Sequence, residues 1–185
     1  MSELPHPKID LHTHSTASDG LFVPAELVRR AHEVGLDLLA LTDHDSTEGV
    51  ADAQAAGMRW GVEVLPGVEL NTDLPGGGEA HVLGYLLDWE QPNVQAHLRF
   101  LRDAREKRGE RMVERLRAQG LDIQWERVRA LAQGSVGRPH VAQALVEGGY
   151  ATSVADAFDR YLSRGQPGWV PRFKLAPADA VRLIR

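Results

Sequence analysis

The 185 residues predict an α/β fold, and three observations carry that prediction. Polar and apolar residues alternate from Ile9 to His14, apolar residues recur at helical spacing over Leu27, Val28, Ala31 and Val34, and an almost continuous apolar run follows from Asp37 to Thr42. A second helix-spaced set, Val50, Ala53 and Gly57, extends this to a βαβα order. Histidines and carboxylates fall at or just after successive strand ends, the edge on which α/β folds build their sites.

The first strand runs into Ile9-Asp10-Leu11-His12-Thr13-His14-Ser15-Thr16-Ala17-Ser18-Asp19-Gly20. Strand side chains change face at every residue, so Asp10, His12 and His14 share one face of a half-buried strand, and two imidazoles on one face can reach one ion. Two chance histidines facing solvent would be the bland account, but the Ser-Asp-Gly that follows argues for a metal site. Pro24 opens the first helix and Gly35 sits just past its end. The run Asp37 to Thr42 suits a strand buried on both faces in a parallel sheet, and it delivers Asp43-His44-Asp45. Ser46 then offers an N-cap for a helix to about Met58. Val62 to Val68 is a third strand, where Pro66 predicts a bulge or an early end just before Glu69. Asp73-Leu74-Pro75-Gly76-Gly77-Gly78 is a turn signal, so Glu69 to Thr72 and Glu79 to Leu87 flank a hairpin with His81, Leu83 and Tyr85 on one face.

From Gln91 to about Gly165 the pattern is helical throughout, which predicts an inserted helical subdomain over 91–165 between a barrel-like part, 1–90, and a return, 166–185. Its first helix, Val94 to Gln119, has a seam of Leu98, Leu101, Met112 and Leu116 that also contains Arg105 and Arg108, and arginines in an apolar seam need partners. The other basic residues of this helix read as a solvated face. A short helix follows from Trp125 to Ala132. Gly137-Arg138-Pro139-His140 opens another, and a helix N-terminus beside Arg138 is suited to an anion, although by this segment alone an ordinary Pro-started helix is the better account. Ser153 with Asp156 predicts a capped helix from Val154 to Leu162. Gln166 to Arg172 reads as extended, and Ala178 to Arg185 as the start of a helix on which the chain stops, so a truncated chain is expected.

Composition narrows the chemistry. Cysteine is absent, so a transition metal must be held by His, Asp and Glu, which suits Mn, Fe or Zn. A net charge of −5 argues against an extended nucleic-acid surface while allowing a local basic pocket. The start Met1 to Pro5 lacks a signal-peptide pattern and no apolar run reaches membrane-spanning length, so no membrane partner and a cytoplasmic location are expected.

Collected, the candidate ligands are His12, His14, Asp19, His44, Glu69 and His81. Six imidazole and carboxylate groups exceed what one catalytic ion takes while keeping a position open, so more than one metal is implied. Adjacent ions sharing a hydroxide generate a nucleophile at neutral pH and stabilise both oxygens of an in-line displacement at phosphorus. The residues alone license a multinuclear hydrolase.

The chain resembles the PHP (polymerase and histidinol phosphatase) metal-dependent phosphoesterases. The resemblance lies in Asp10-Leu11-His12-Thr13-His14-Ser15 with Ser18-Asp19-Gly20, in Leu41-Thr42-Asp43-His44-Asp45, in Pro66-Gly67-Val68-Glu69, in His81-Val82-Leu83-Gly84-Tyr85 and in Gly137-Arg138-Pro139-His140. The last motif and the helical insertion are similar to the branch that acts on nucleoside 3′,5′-bisphosphates or AMP-like nucleotides, some members of which trim RNA from its 5′ end. The resemblance implies the N-terminal part of a distorted seven-stranded β/α barrel, with the insertion as a substrate cap and up to three Mn, Fe or Zn ions. His12 and His14 would bind the first ion, Asp19 and His44 the second, His81 the third, and Glu69 would bridge the first and third. Phosphomonoester hydrolysis would proceed by attack of a metal-bridging hydroxide held by Glu69, His12 and His14. Asp10 and Asp43 would stand behind the ligands. Arg138, with Arg105 or Arg108, would clamp substrate phosphate, and His140 would line the pocket or hold the turn.

Family members continue with an Ala-His-Pro segment and an Asp-x-His pair, which this sequence lacks. The expectation is a piece of a longer enzyme that alone binds metal weakly and turns over poorly. Two other readings compete. One is a non-catalytic module that binds nucleotide and metal. The other is an amidohydrolase-like C–N hydrolase, which would need a metal-bridging lysine where the barrel-like part has only Lys8 and Lys174.

Overall fold

The computed structural model describes residues 6–132 and 136–185; Met1 to Pro5, read above for a targeting signal, lie outside them. The chain divides into two units, residues 1–99 with 174–185, and residues 100–173. In chain order the elements are β1 (Ile9–Thr13), α1 (Pro24–Glu33), β2 (Leu38–Leu41), α2 (Val50–Trp60), β3 (Glu63–Asp73), β4 (Glu79–Tyr85) and α3 (Pro92–Arg117). They continue with α4 (Trp125–Leu131), α5 (Arg138–Glu147), α6 (Val154–Ala157), a π-helical turn (Phe158–Leu162) and α7 (Pro177–Ile184). No helix among the described residues is long and apolar enough to cross a membrane.

The first unit is built on one sheet of order β1-β2-β3-β4, parallel across its first three strands and antiparallel between β3 and β4. It is curled as part of a barrel. Four flat strands would hold β1 and β4 roughly 14 Å apart, beyond the reach of one side chain. Here the Tyr85 hydroxyl of β4 donates to the Leu11 carbonyl of β1 at 2.9 Å. α1 and α2 pack together, and Val28, Ala31, Val50, Ala53 and Ala56 bury their stripe against Leu39, Leu41, Val62 and Val64.

Three local expectations change. Pro66 neither bulges nor ends its strand: β3 runs unbroken for 11 residues. Pro66 is the last residue paired with β2, opposite Leu41, and Gly67 the first paired with β4, opposite Tyr85, so the missing N–H falls at the handover between ladders. Glu69 therefore stands in mid-strand rather than at a strand end. β1 is not half-buried, because Ile9 and Leu11 remain 50% and 43% exposed on an edge strand. Ser46 does not cap α2; its Oγ accepts the Glu48 N–H at 3.2 Å in a turn before Gly49 leads into the helix.

The second unit is helical. Met112, Leu116, Ile123, Val128, Val141, Leu145, Ala157, Leu162 and Val170 form its core. Ser153 Oγ accepts the Asp156 N–H at 3.1 Å and starts α6 as expected, but the helix widens into the π turn from Phe158 onward. The division falls inside α3. At its start, Gln95 Nε2 donates to Thr47 Oγ1 at 2.8 Å within the first unit. Further along, Arg108 Nε and Arg115 Nε donate to the carbonyls of Val170 (2.8 Å) and Pro167 (2.9 Å), which ties 167–170 into the second unit.

Two substitutions test these cores. Leu145 is fully buried, so Leu145→Ala is expected to lower unfolding stability by about 2–5 kcal/mol, read as a lower urea midpoint. A Cβ on Gly57 would stand 2.5 Å from the Val62 carbonyl oxygen, so Gly57→Ala is expected to cost about 1–3 kcal/mol by overpacking. Unchanged midpoints would contradict the packing.

Candidate metal centre

Four histidines and two carboxylates from separate elements converge in the first unit. Glu69 is at the centre, 1% exposed. Its Oε2 lies 2.9 Å from His12 Nε2, 3.1 Å from His14 Nε2 and 3.4 Å from His44 Nδ1, while Oε1 meets His81 Nδ1. Asp19 completes the group, with its oxygens 3.3 Å from His14 Nδ1 and 3.5 Å from His44 Nε2. All six residues read as ligands from the sequence are thus brought together.

Local chemistry explains how each arrives. β1 carries His12 and ends at Thr13, so His14 follows at the strand's exit. The chain then folds back: Ser18 N–H and Gly20 N–H both donate to the Ser15 carbonyl, at 3.1 and 2.9 Å. Gly20 is required there, because a Cβ would sit 2.2 Å from the His14 carbonyl oxygen. This return carries Asp19 to His14 and His44. The segment Asp43–Asp45 continues β2 beside β3, with Glu69 N–H donating to the Asp43 carbonyl (3.2 Å) and Asp45 N–H to the Glu69 carbonyl (3.0 Å). Asp45 then takes a left-handed backbone, φ 51°, which aspartate tolerates better than most residues. Across the β3–β4 ladder His81 is paired with Asn71, two residues from Glu69, so Glu69, Asn71 and His81 share a face.

The remaining carboxylates differ in kind. Buried Asp43 accepts the Ser15 N–H (2.7 Å), the Ser15 hydroxyl (2.6 Å) and the Ser18 hydroxyl (2.6 Å), which pins the return loop to the end of β2. Burial pushes the Asp43 carboxyl up, against the pull of those hydrogen bonds. Asp10 is exposed and accepts the His12 backbone N–H at 3.1 Å. For Glu69, burial works upward, but the hydrogen bond with His12 and the attraction of His44 and His81 hold it below the usual carboxylate range. Reasoning from sequence missed Asn71, whose carboxamide lies 3.1 Å from His44 Nδ1. Its signal was the i+2 spacing from Glu69 within the strand expected over Glu69 to Thr72.

The cluster fits a divalent cation. Imidazole and carboxylate donors sit about 2.0–2.2 Å from such an ion, so two donors to one ion stand roughly 3–3.5 Å apart, the spacing found here. Three groups of three can each offer one atom apiece toward a common point: His12, His14 and Glu69; His14, Asp19 and His44; and His44, Glu69 and His81.

The other named residues belong to the second unit. Arg138 opens α5, with its guanidinium 5.4 Å from the Phe158 ring centroid. His140 Nδ1 accepts the Gly137 N–H at 3.0 Å and so holds the helix start. Arg108 binds the Val170 carbonyl, and Arg105 is half-buried on α3.

Known proteins place this geometry. Residues 10–166 match the PHP domain family model. A 5′-3′ exoribonuclease from Haemophilus influenzae is 40% identical over 88% of this chain and 59% of its own length. A 3′,5′-nucleoside bisphosphate phosphatase from Chromobacterium violaceum is 36% identical over 95% and 62%. Two solved structures share the fold. One, described as a metal-dependent phosphoesterase from Bifidobacterium adolescentis, has a TM-score of 0.85 at 31% identity and covers 98% of this chain and 64% of that one. The other, described as an amidohydrolase from Chromobacterium violaceum with bound sulfate and no metal, has a TM-score of 0.83 at 35% identity and covers 96% and 63%. The chain therefore spans about three-fifths of the length of the curated relatives it matches, and it belongs to the PHP domain family.

Proposed function

We propose that this chain is the N-terminal part, carrying six of the metal ligands, of a phosphoesterase that hydrolyses a phosphomonoester of a nucleotide: a nucleoside 3′,5′-bisphosphate, an AMP-like nucleotide or an RNA 5′ end. The observation that carries the reading is the set of overlapping donor groups around Glu69, in which His14 and His44 each face two neighbouring positions. The relatives named for RNA and for nucleoside bisphosphates support the substrate class.

His12, His14 and Glu69 would hold one ion, Asp19 and His44 a second, and Glu69 and His81 a third, with Mn preferred and Fe or Zn as substitutes. When bound, such ions activate water at neutral pH and neutralise charge on phosphoryl oxygens. The chain's own residues set the frame. Glu69 keeps its charge among imidazoles, Asp43 fixes the loop that presents Asp19, and Asp10 steadies the backbone at His12. Arg138, with Arg105 or Arg108, would balance substrate phosphate, and the helical insertion 91–165 would act as the cap.

The amidohydrolase reading is less well supported. Within this chain's first unit the lysines do not suit a bridging role, Lys8 being exposed and Lys174 paired with Asp73 and Glu79 at the hairpin end. The sulfate in the amidohydrolase relative is, like phosphate, a tetrahedral oxyanion.

With Mn²⁺ and a 3′,5′-bisphosphate, AMP or a 5′-phosphorylated oligoribonucleotide, the chain and its full-length form are expected to release phosphate, the full-length form faster. Chelation should stop release and added Mn²⁺ restore it. Binding of nucleotide without release would instead favour the non-catalytic module. His14→Ala should lower turnover by more than the ~10–100-fold typical of losing a partner behind a ligand; full activity would remove His14 from the site.

A further inference from the structure

His44 stands where two of the donor groups meet. Its Nε2 is 3.5 Å from Asp19 Oδ2 and its Nδ1 is 3.4 Å from Glu69 Oε2. A neutral imidazole offers a lone pair from one nitrogen and a proton on the other, so the tautomer decides which group His44 joins. Asn71 touches the deciding atom. Its Nδ2 stands 3.1 Å from His44 Nδ1, it is buried on the same face of β3 as Glu69, and its backbone is fixed by pairing with His81.

A carboxamide presents either its Nδ2 or, after a half-turn, its Oδ1. With Nδ2 donating, the bare Nδ1 lone pair would also face the Glu69 carboxylate, an unfavourable meeting of two acceptors. With Oδ1 accepting after that half-turn, the Nδ1 proton faces two acceptors, Asn71 Oδ1 and Glu69 Oε2, and the Nε2 lone pair meets Asp19 Oδ2, a pairing of acceptors that becomes favourable once a cation stands between them. The second arrangement also follows the rule that a ligating imidazole gives its other N–H to a carbonyl or carboxylate, which fixes tautomer and ring orientation.

We infer that Asn71 is a positioning residue that holds His44 in its Nδ1–H form through the carboxamide oxygen, so that Nε2 joins His14 and Asp19 rather than Nδ1 joining Glu69 and His81. The inference rests on the metal-centre reading proposed above, and it gives Asn71 a role in distributing ligands between neighbouring ions.

The test uses the full chain labelled with ¹⁵N-histidine at mildly alkaline pH, free and titrated with Zn²⁺, with NMR correlations through the imidazole ring identifying the protonated nitrogen of each His. His44 is expected in the Nδ1–H form in the wild type and in Asn71→Asp, whose carboxylate still accepts. Asn71→Ala is expected to lose that preference and to weaken Zn²⁺ binding by about tenfold. Nε2–H at His44 in the wild type would overturn the inference. So would Asn71→Asp weakening Zn²⁺ binding as much as Asn71→Ala, since Asn71 would then act as a donor. Failure of the underlying reading is separate: the wild-type chain would take up no Zn²⁺, whereas an Nε2–H His44 in a chain that does take it up overturns the role of Asn71 alone. If Asn71→Ala does not fold, the near-isosteric Asn71→Asp carries the comparison.

Discussion

A carboxylate removed from water and surrounded by imidazoles is the constraint on which this structure turns. Glu69 is almost wholly buried, and four histidines approach its two oxygens. A buried carboxylate survives only with partners that keep it charged, and neutral imidazoles satisfy it partly, through whichever of their nitrogens carry protons. With the imidazoles neutral, Glu69 and Asp19 leave the cluster doubly negative, which a divalent cation would offset. The imidazoles that hold Glu69 charged in the metal-free cluster are also, as neutral donors, suited to ligate that cation.

The sheet is arranged to make that convergence possible. A strand that pairs in parallel on one side and turns antiparallel on the other needs a place where one ladder stops and the next begins, and Pro66-Gly67 supplies it. Glu69 then follows two residues into the antiparallel ladder, close enough to β2's continuation for Asp43 and Asp45 to bond its backbone. Curling of the sheet, marked by the Tyr85 hydroxyl on the Leu11 carbonyl, accompanies the approach of His12 on β1 and His81 on β4 to one carboxylate. Strand order, the proline and the site are one piece of geometry.

Much of this was legible in the sequence because metal ligation uses few residue types and strands impose a period of two. His12 and His14, His44 after the apolar run, Glu69 and His81 could each be picked out by type and position, and their meeting around Glu69 follows from a sheet of adjacent strands. What was hidden depended on context that spacing does not encode. Pro66 read as a strand breaker because sequence does not show that its strand changes partners there. Ile9 and Leu11 read as half-buried because alternation does not say which strand lies on an edge. The i+2 spacing put Asn71 on the face of Glu69, but its contact with His44 and the loop-pinning role of Asp43 were hidden, because a hydrogen-bond partner more than twenty residues away leaves no local signature. Arg105, Arg108 and Arg138 could be named as basic residues in apolar or helix-start settings, yet the hydrogen bond of Arg108 to the Val170 carbonyl depends on how the chain returns to α3.

The central claim is that Glu69 organises a cation site rather than a purely internal ion-pair cluster. Thermal unfolding of the wild-type chain and of Glu69→Gln, each with and without Mn²⁺ in large excess over its dissociation constant, tests it directly. A cation held at 100 times its dissociation constant adds about 2.7 kcal/mol to the folded state, worth roughly 5–10 °C in a chain of this size. The wild-type midpoint should rise by that order on adding Mn²⁺, while Glu69→Gln should shift little; an equal rise in both, or none in the wild type, would contradict the account.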